Sequence, residues 1–441
     1  MAASRRSQQD MLPNDLAKSP KLSRDLRAAL AQEANARSLR VIVRHRPGVS
    51  SKLCKSISAE PIRRLPRFQA SVLEISPRAL SELEREESVL MLWHDFRVRA
   101  LLDRAVPAVG GPLAWEHGLS GKDVVIAVLD TGVDAEHPDL RNALVGARAF
   151  VHEAGTDEEN AAEVLDYNGH GTHVAGIAVG SGEMSSGRFR GLAPGASLLV
   201  GKVLDGTGSG NASDVIAGLE WALAEGAHVA CLSLGGDIAT DGSDALSVAC
   251  DEFAEQGLLI CAAAGNSGPR PYSIGSPGCA REVLTVGAAD LTGAEPVVAR
   301  FSSRGPTADG RHKPDVVLPG VAITSCRSRA GFIGTPDATH PEHYCVASGT
   351  SMATPLAAAF CALLLQAAPD ATPREIKALL ASVARSIPGG PDAAGAGMPH
   401  FAHVLEAPPS AVEPGLPPEE RAGCLVRLLS PFTAVFGRLR P

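Results

Sequence analysis

The sequence predicts an α/β protein with a three-layer domain built on a mainly parallel sheet, preceded by a small α+β unit. Three observations carry this. From Gly121 onward, short and nearly continuous apolar runs alternate with helical patterns, as expected for a parallel sheet covered on both faces. Each apolar run ends in a loop rich in Gly, Asp, Ser or Asn, where open α/β sheets place their sites. Ahead of them, residues 39–103 read strand, strand, helix, strand.

In the small unit, LRVIVRHRP alternates as a strand and RFQASVLEI forms a second. SPRALSELERE is a helix opened by Ser76 and Pro77. SVLMLWHDFRVRALL reads as one further strand. In the large domain, VVIAVLD, ASLLVGKVL, HVACLSL and LLICAAAG are strands. GTHVAGIAVG, ASDVIAGLEWALAEG, SDALSVACDEFAEQG and SMATPLAAAFCALLLQAA are helices. TPREIKALLASVA adds a last helix, with Thr372 as N-cap and Pro373 at its first position. This layout predicts a flexible polar arm over 1–35, the small unit over 36–104 and the large domain over 105–407. A Pro-rich linker and tail then occupy 408–441. No internal repeat is found.

The chain has 441 residues, 45% hydrophobic and 20% charged, an ordinary globular composition. A net charge of −8 without a basic block, and only 4% aromatic residues, argue against nucleic acid as a partner. No uninterrupted apolar stretch reaches the length of a membrane span. The N-terminus lacks the apolar middle region of a secretory signal. The expectation is a cytoplasmic protein, or one exported by a non-classical route. Nine cysteines are an odd number, so at least one lacks a partner in the chain. Cys231, Cys261 and Cys361 lie in apolar runs and read as small core residues. Cys326 and Cys345 could pair in an oxidising compartment, but reduced thiols are the expected state.

Four segments carry chemistry: VLDTGVDAEHPDL (128–140), NGHGTHVAGIAVG (168–180), AAAGNSG (262–268) and SGTSMATP (348–355). Singly, each has a dull explanation: a strand-end carboxylate, a turn, an N-cap. Together they supply what acyl transfer needs. A serine hydroxyl needs a base, the base needs a carboxylate, and the oxyanion needs fixed donors. Ser351 opens a long apolar helix, so its backbone N–H is free and the helix end favours negative charge. Such chemistry requires no cofactor. A lipase-type site would need a G-x-S-x-G elbow, which Ser351 lacks.

The order Asp, His, Ser and these four segments resemble the subtilisin family, in its subtilisin and proteinase K branch. The resemblance spans roughly residues 110–405 and, more weakly, 38–103. It implies a serine endopeptidase acting on polypeptides, with Asp130 orienting the imidazole, His170 as base and then acid, and Ser351 as nucleophile. Asn266 would donate to the oxyanion beside the Ser351 N–H, with Thr131 and Thr350 supporting. SLGG (Ser233, Leu234, Gly235, Gly236) resembles the segment that pairs with substrate and walls the specificity pocket. GTGSGN, with Gly208, Ser209 and Gly210, resembles the facing strand. Ala264 and Gly265 would complete the pocket wall, and Gly275 of IGSPG its floor. The α+β unit resembles the family's propeptide, so the chain's own N-terminal unit is an expected partner. The acidic insert VHEAGTDEENAAEVLD reads as a solvated loop. The family often binds a structural calcium ion; Asp139 and Asp315 fall where its carboxylate ligands often lie, but no ligand set is assigned. Alternative readings are a maturation protease of narrow specificity and a non-catalytic binding protein on the same fold.

Overall fold

Backbone contacts divide the chain into two units, Met1–Phe96 with Ser243–Ala245, and Arg97–Gly242 with Leu246–Pro441. The computed structural model describes residues 19–23, 26–27, 29–30, 38–49, 57, 60–95, 97–100, 106–151, 164–236, 239–293 and 295–406. The acidic insert, apart from its two ends, and the linker and tail at 408–441 lie outside them.

The first unit contains β1 (Leu39–His45), β2 (Arg63–Leu65), β3 (Ala70–Ile75), α1 (Pro77–Arg85) and β4 (Val89–His94). The strands form an antiparallel sheet in the order β2-β3-β1-β4. Helix α1 starts where Ser76 Oγ accepts from Ala79 N at 3.3 Å, and Pro77 follows at the first position. Its Leu80 and Leu83 enter the core of the unit. Within the expected polar arm, Leu22, Leu26 and Leu30 join that core. A spacing of four residues puts them on one helical face, a pattern that the surrounding charges obscure.

The expected strand over SVLMLWHDFRVRALL is two strands. β4 stops at His94, and the carboxylate of Asp95, its side chain buried, binds the Arg40 guanidinium at 2.9 Å. The second piece, β5 (Arg97–Ala100), belongs to the other unit.

That unit continues through α2 (Gly111–Glu116), β6 (Val125–Asp130), β7 (Leu144–Ala149), α3 (His170–Val179), β8 (Ser197–Lys202) and β9 (Ser209–Asn211). There follow α4 (Ala212–Ala224), β10 (Val229–Leu232), β11 (Leu234–Gly235), α5 (Ala245–Glu255), β12 (Leu259–Ala263) and β13 (Leu284–Asp290). Short strands β14 (Val297–Val298), β15 (Val316–Pro319), β16 (Ile323–Cys326), β17 (Thr335–Pro336) and β18 (Tyr344–Ala347) precede α6 (Thr350–Ala367) and α7 (Pro373–Ser382). The main sheet runs β14-β13-β12-β10-β6-β8-β7, with β15 also on β13. Its pairings are parallel except for β13 with β14. Because β6, β8, β10 and β12 run parallel, their carboxyl ends lie along one edge, and the residues after them meet there.

Helix α6 is buried from Thr350 to Leu365, and it lies against α3, β10, β12 and β13. By length and composition it could cross a membrane, yet 89% of it is buried inside the protein. Such a helix is apolar all round because protein surrounds it.

Both carboxylates considered for calcium accept hydrogen bonds from the chain's own groups. Asp139 accepts from Tyr344 Oη at 2.6 Å, Met184 N at 3.1 Å and Gly182 N at 3.2 Å. Asp315 meets Lys313 Nζ at 2.6 Å, Lys377 Nζ at 3.2 Å and Thr285 N at 2.7 Å. The same two ammonium groups reach the carbonyls of Val283 and Arg281 and the hydroxyl of Thr285. An oxygen-rich cage is thus filled by the chain's own cations.

Burial pushes the Asp315 carboxyl up, but the two ammonium groups more than offset it and hold it below its ordinary value. A depressed carboxyl stabilises the fold above its unfolded pKa, and the gain is lost as pH falls through the folded value. Asp315→Ala should therefore cost about 3–5 kcal/mol near neutral pH, by leaving the buried Lys313 ammonium without its carboxylate. Urea unfolding should show that difference shrinking below about pH 4, where the unfolded carboxyl protonates. A difference that is small and independent of pH would contradict this account.

Candidate active site

Asp130 ends β6 and His170 begins α3, and both side chains are buried. His170 Nδ1 lies 2.7 Å from Asp130 Oδ1, which also accepts from Thr131 N at 2.7 Å. That contact fixes the proton on Nδ1 and leaves Nε2 as the basic nitrogen. The approach of helix to strand is close. A Cβ on Gly171 would stand 2.2 Å from Gly132 O, so glycine is required there.

Ser351 is the second residue of α6, with Gly349 at the cap. Its Oγ donates to Ser233 O at 3.1 Å. Pro355 sits four residues further along this helix; lacking an N–H, it cannot satisfy the carbonyl of Ser351. Ser233 Oγ supplies the missing donor, at 2.7 Å from Ser351 O. The segment after β10 is thereby clamped to the start of α6 through two hydrogen bonds.

Asn266 follows β12. Its Oδ1 accepts from Thr350 N at 2.9 Å and Thr350 Oγ1 at 3.2 Å. With the carbonyl end engaged, the amide Nδ2 is the donor end of this side chain. Thr350 Oγ1 also accepts from Gly265 N, at 3.3 Å. Gly265 has φ of 105°, and a Cβ there would meet Ser303 Oγ at 2.8 Å.

The expected substrate segments are brought together around β5. This strand pairs antiparallel with β9, Arg97 opposite Asn211 and Arg99 opposite Ser209, and with β11, Ala100 opposite Leu234. Gly208 makes the turn into β9 at φ of 76°. Gly210 lies in β9, where a Cβ would strike Val203 O at 2.1 Å. Gly235 lies in β11, and Gly236 N donates to Ser276 O at 2.8 Å, joining the SLGG and IGSPG segments. Gly275 O accepts from Cys279 N at 3.0 Å, and Ala264 is buried.

Three buried polar residues went unnoticed in the sequence. Asp166, the last residue of the acidic insert, is fully buried rather than solvated, and burial raises its carboxyl above the ordinary range. Lys202 is buried as the ladder partner of Asp130, and its Nζ donates to Thr131 O at 2.8 Å. His173 is held neutral, its pKa lowered to about 3 by burial and then by His170. A charged residue closing an apolar strand, as in LLVGK, was the available signal for Lys202.

The cysteines at 231, 250, 261, 279, 326, 345 and 361 are free and buried. Cys345 stands opposite Ser325 in the β16–β18 ladder, one place out of register with Cys326, so these two face opposite sides. Burial pushes Cys345 up to about 12 and raises Cys231 and Cys261 as well. Raised in this way, these three thiols are poor nucleophiles at neutral pH.

Comparison with known proteins agrees with this arrangement. Residues 121–401 match the subtilase family, peptidase S8. Serine protease AprX of Bacillus subtilis is 40% identical over 336 residues, covering 72% of this chain and 74% of that protein. Subtilisin E of the same organism is 34% identical over 321 residues, 71% of this chain and 75% of its own. Fervidolysin of Fervidobacterium pennivorans, a keratinolytic enzyme related to subtilisin, superposes with a TM-score of 0.70 at 25% identity. That likeness covers 84% of this chain and 61% of the fervidolysin chain. A subtilisin-like fold, a matching family profile and named serine proteases at this identity place the chain in the subtilase family of serine endopeptidases, which act on polypeptides and generally need no cofactor for catalysis.

Proposed function

We propose that Ser351 is the nucleophile of this endopeptidase, His170 its general base and acid, Asp130 the orienting carboxylate and Asn266 an oxyanion donor. The observation that carries this is the 2.7 Å contact of His170 Nδ1 with Asp130, at the sheet edge where Ser351 opens α6. Nε2 of His170 takes the hydroxyl proton as Ser351 Oγ attacks the scissile carbonyl. The tetrahedral oxyanion is held by Ser351 N–H and Asn266 Nδ2. His170 then protonates the leaving amine, and water reverses the sequence on the acyl-enzyme. A fluorophosphonate probe should label Ser351 alone, and Ser351→Ala should abolish peptide hydrolysis. Asn266→Ala should lower kcat by about 10²–10³-fold with little change in KM, the cost known for the equivalent donor of subtilisin. Labelling elsewhere, or wild-type turnover by Ser351→Ala, refutes the assignment.

The chain is further proposed to be a self-processing zymogen whose N-terminal unit is its first partner. The β9–β5–β11 ladder supports this, because an extended segment of the chain lies between two strands in the manner of an added peptide. In that register Ala100 faces Leu234. Leu234 follows Ser233, whose carbonyl is 3.1 Å from Ser351 Oγ. Residues 101–105 themselves lie outside the described residues. Cleavage near residues 100–110 is expected, with Ser351→Ala remaining full length. Intact-mass measurement of both proteins decides, and an uncut, fully active wild type overturns the reading.

A preference for Leu, Phe, Tyr or Met before the cut bond is proposed from the pocket lining. Ser233–Gly236, Ala263–Ser267 and Gly275 carry no charge, and a buried cation would need a partner. Burying a large apolar side chain there contributes about 1.5–3 kcal/mol. A peptide library read by mass spectrometry should show this preference, and Ser267→Asp should raise cleavage after Lys and Arg. Dominant cleavage after basic residues by the wild type would refute it.

A further inference from the structure

Asp166 has no solvent exposure and accepts four hydrogen bonds. Its Oδ1 takes Gly169 N at 2.7 Å, Thr131 Oγ1 at 2.8 Å and Asn168 N at 3.1 Å, and its Oδ2 takes Thr172 N at 2.8 Å. Thr131 Oγ1, having donated to Asp166, accepts from Gly171 N at 2.9 Å. The N-cap of α3 is Gly169, which has no side chain to offer. The orphan N–H groups of the first turn are therefore met from outside, Gly171 by Thr131 and Thr172 by Asp166. A carboxylate near a helix start is also favoured by the helix dipole.

The groups joined by this carboxylate are the neighbours of the reacting pair. Thr131 follows Asp130 at the end of β6, and Gly169 and Gly171 flank His170 at the start of α3. Lys202 pins the two backbones that meet here, donating to Thr131 O at 2.8 Å and Leu165 O at 3.2 Å. Ser328 Oγ holds the carbonyl of Asp166 itself, at 2.7 Å. An ordinary N-cap would satisfy one or two helix N–H groups and stop. This one also reaches sideways to the strand that bears the partner of the histidine.

We infer that Asp166 is a positioning residue, which sets the imidazole of His170 against Asp130 by binding Thr131 and the first turn of α3 into one unit. The inference rests on the proposed roles of Asp130 and His170. It reaches the chemistry through them, since a displacement of about 1 Å at a base can cost about a hundredfold in rate.

The test uses the full-length protein with four variants: Asp166→Asn, Thr131→Val, Thr131→Ser and His170→Ala. Peptide kinetics, thermal unfolding and the low-field proton resonance of the His170 Nδ1–H bond are measured on each. Asp166→Asn and Thr131→Val should lose about 10- to 100-fold in kcat, with KM unchanged and the resonance shifted or broadened. Thr131→Ser, which keeps the hydroxyl, should recover most of the loss and the wild-type signal. Should Asp166→Asn fail to fold, the Thr131→Val and Thr131→Ser pair decides alone. Wild-type kcat and resonance in Asp166→Asn and Thr131→Val, beside an inactive His170→Ala, would overturn the positioning role and leave the triad standing. Loss of kcat that follows lowered thermal stability while the resonance stays at its wild-type position would overturn it too. Full activity in His170→Ala would instead remove the triad reading.

Discussion

The hydrogen bond between His170 and Asp130, sealed from solvent, is the constraint around which the rest is arranged. A carboxylate taken out of water is costly unless donors surround it, and here Oδ1 has two, Thr131 N and His170 Nδ1. Oδ2 has no hydrogen-bond partner among the described residues. The folded chain sustains that cost because both residues sit on rigid elements, a strand inside a parallel sheet and a helix packed against it. The close approach of Gly171 to Gly132 shows how little slack there is. A methyl group at that point would separate the two elements and the bond with them.

Fixing one pair is not enough, since Ser351 comes from a third element far along the chain. Its placement depends on a local defect in α6. Pro355 frees the carbonyl of Ser351, and Ser233 fills the vacancy while its own carbonyl receives the hydroxyl of Ser351. The helix that supplies the proposed nucleophile is thus joined to the segment that pairs with an extended peptide. A shift of one carries the other with it, so register along β11 and the location of the reacting bond are physically the same variable.

Much of this was legible in sequence because strands of a parallel sheet are short and apolar, and their loops carry the polar residues. VLDTG, NGHGTH, AAGNS and GTSMA each straddle such a boundary, so periodicity and chemistry pointed to the same positions. Asp166 was illegible for the opposite reason. It closes a run of acidic residues whose composition indicates a solvated loop, and burial of one carboxylate among many has no periodic signature. The break between β4 and β5 was hidden because alternation continues through Asp95; only Arg40, distant in sequence, marks the end. Register likewise depends on pairing partners that no single stretch contains.

The cage around Asp315 shows how one arrangement of oxygens can be satisfied by the chain's own cations. A carboxylate, two carbonyls and a hydroxyl converge as they would around a divalent ion. Lys313 and Lys377 fill that space with two single charges, each tied covalently to the fold. A bound ion adds stability only as far as its free concentration exceeds its Kd, whereas a lysine is always present and loses its charge only with pH. The two solutions satisfy the same oxygens and differ in what can remove them. In this chain lysines meet the carboxylate at that corner of the sheet, and their charge depends on pH.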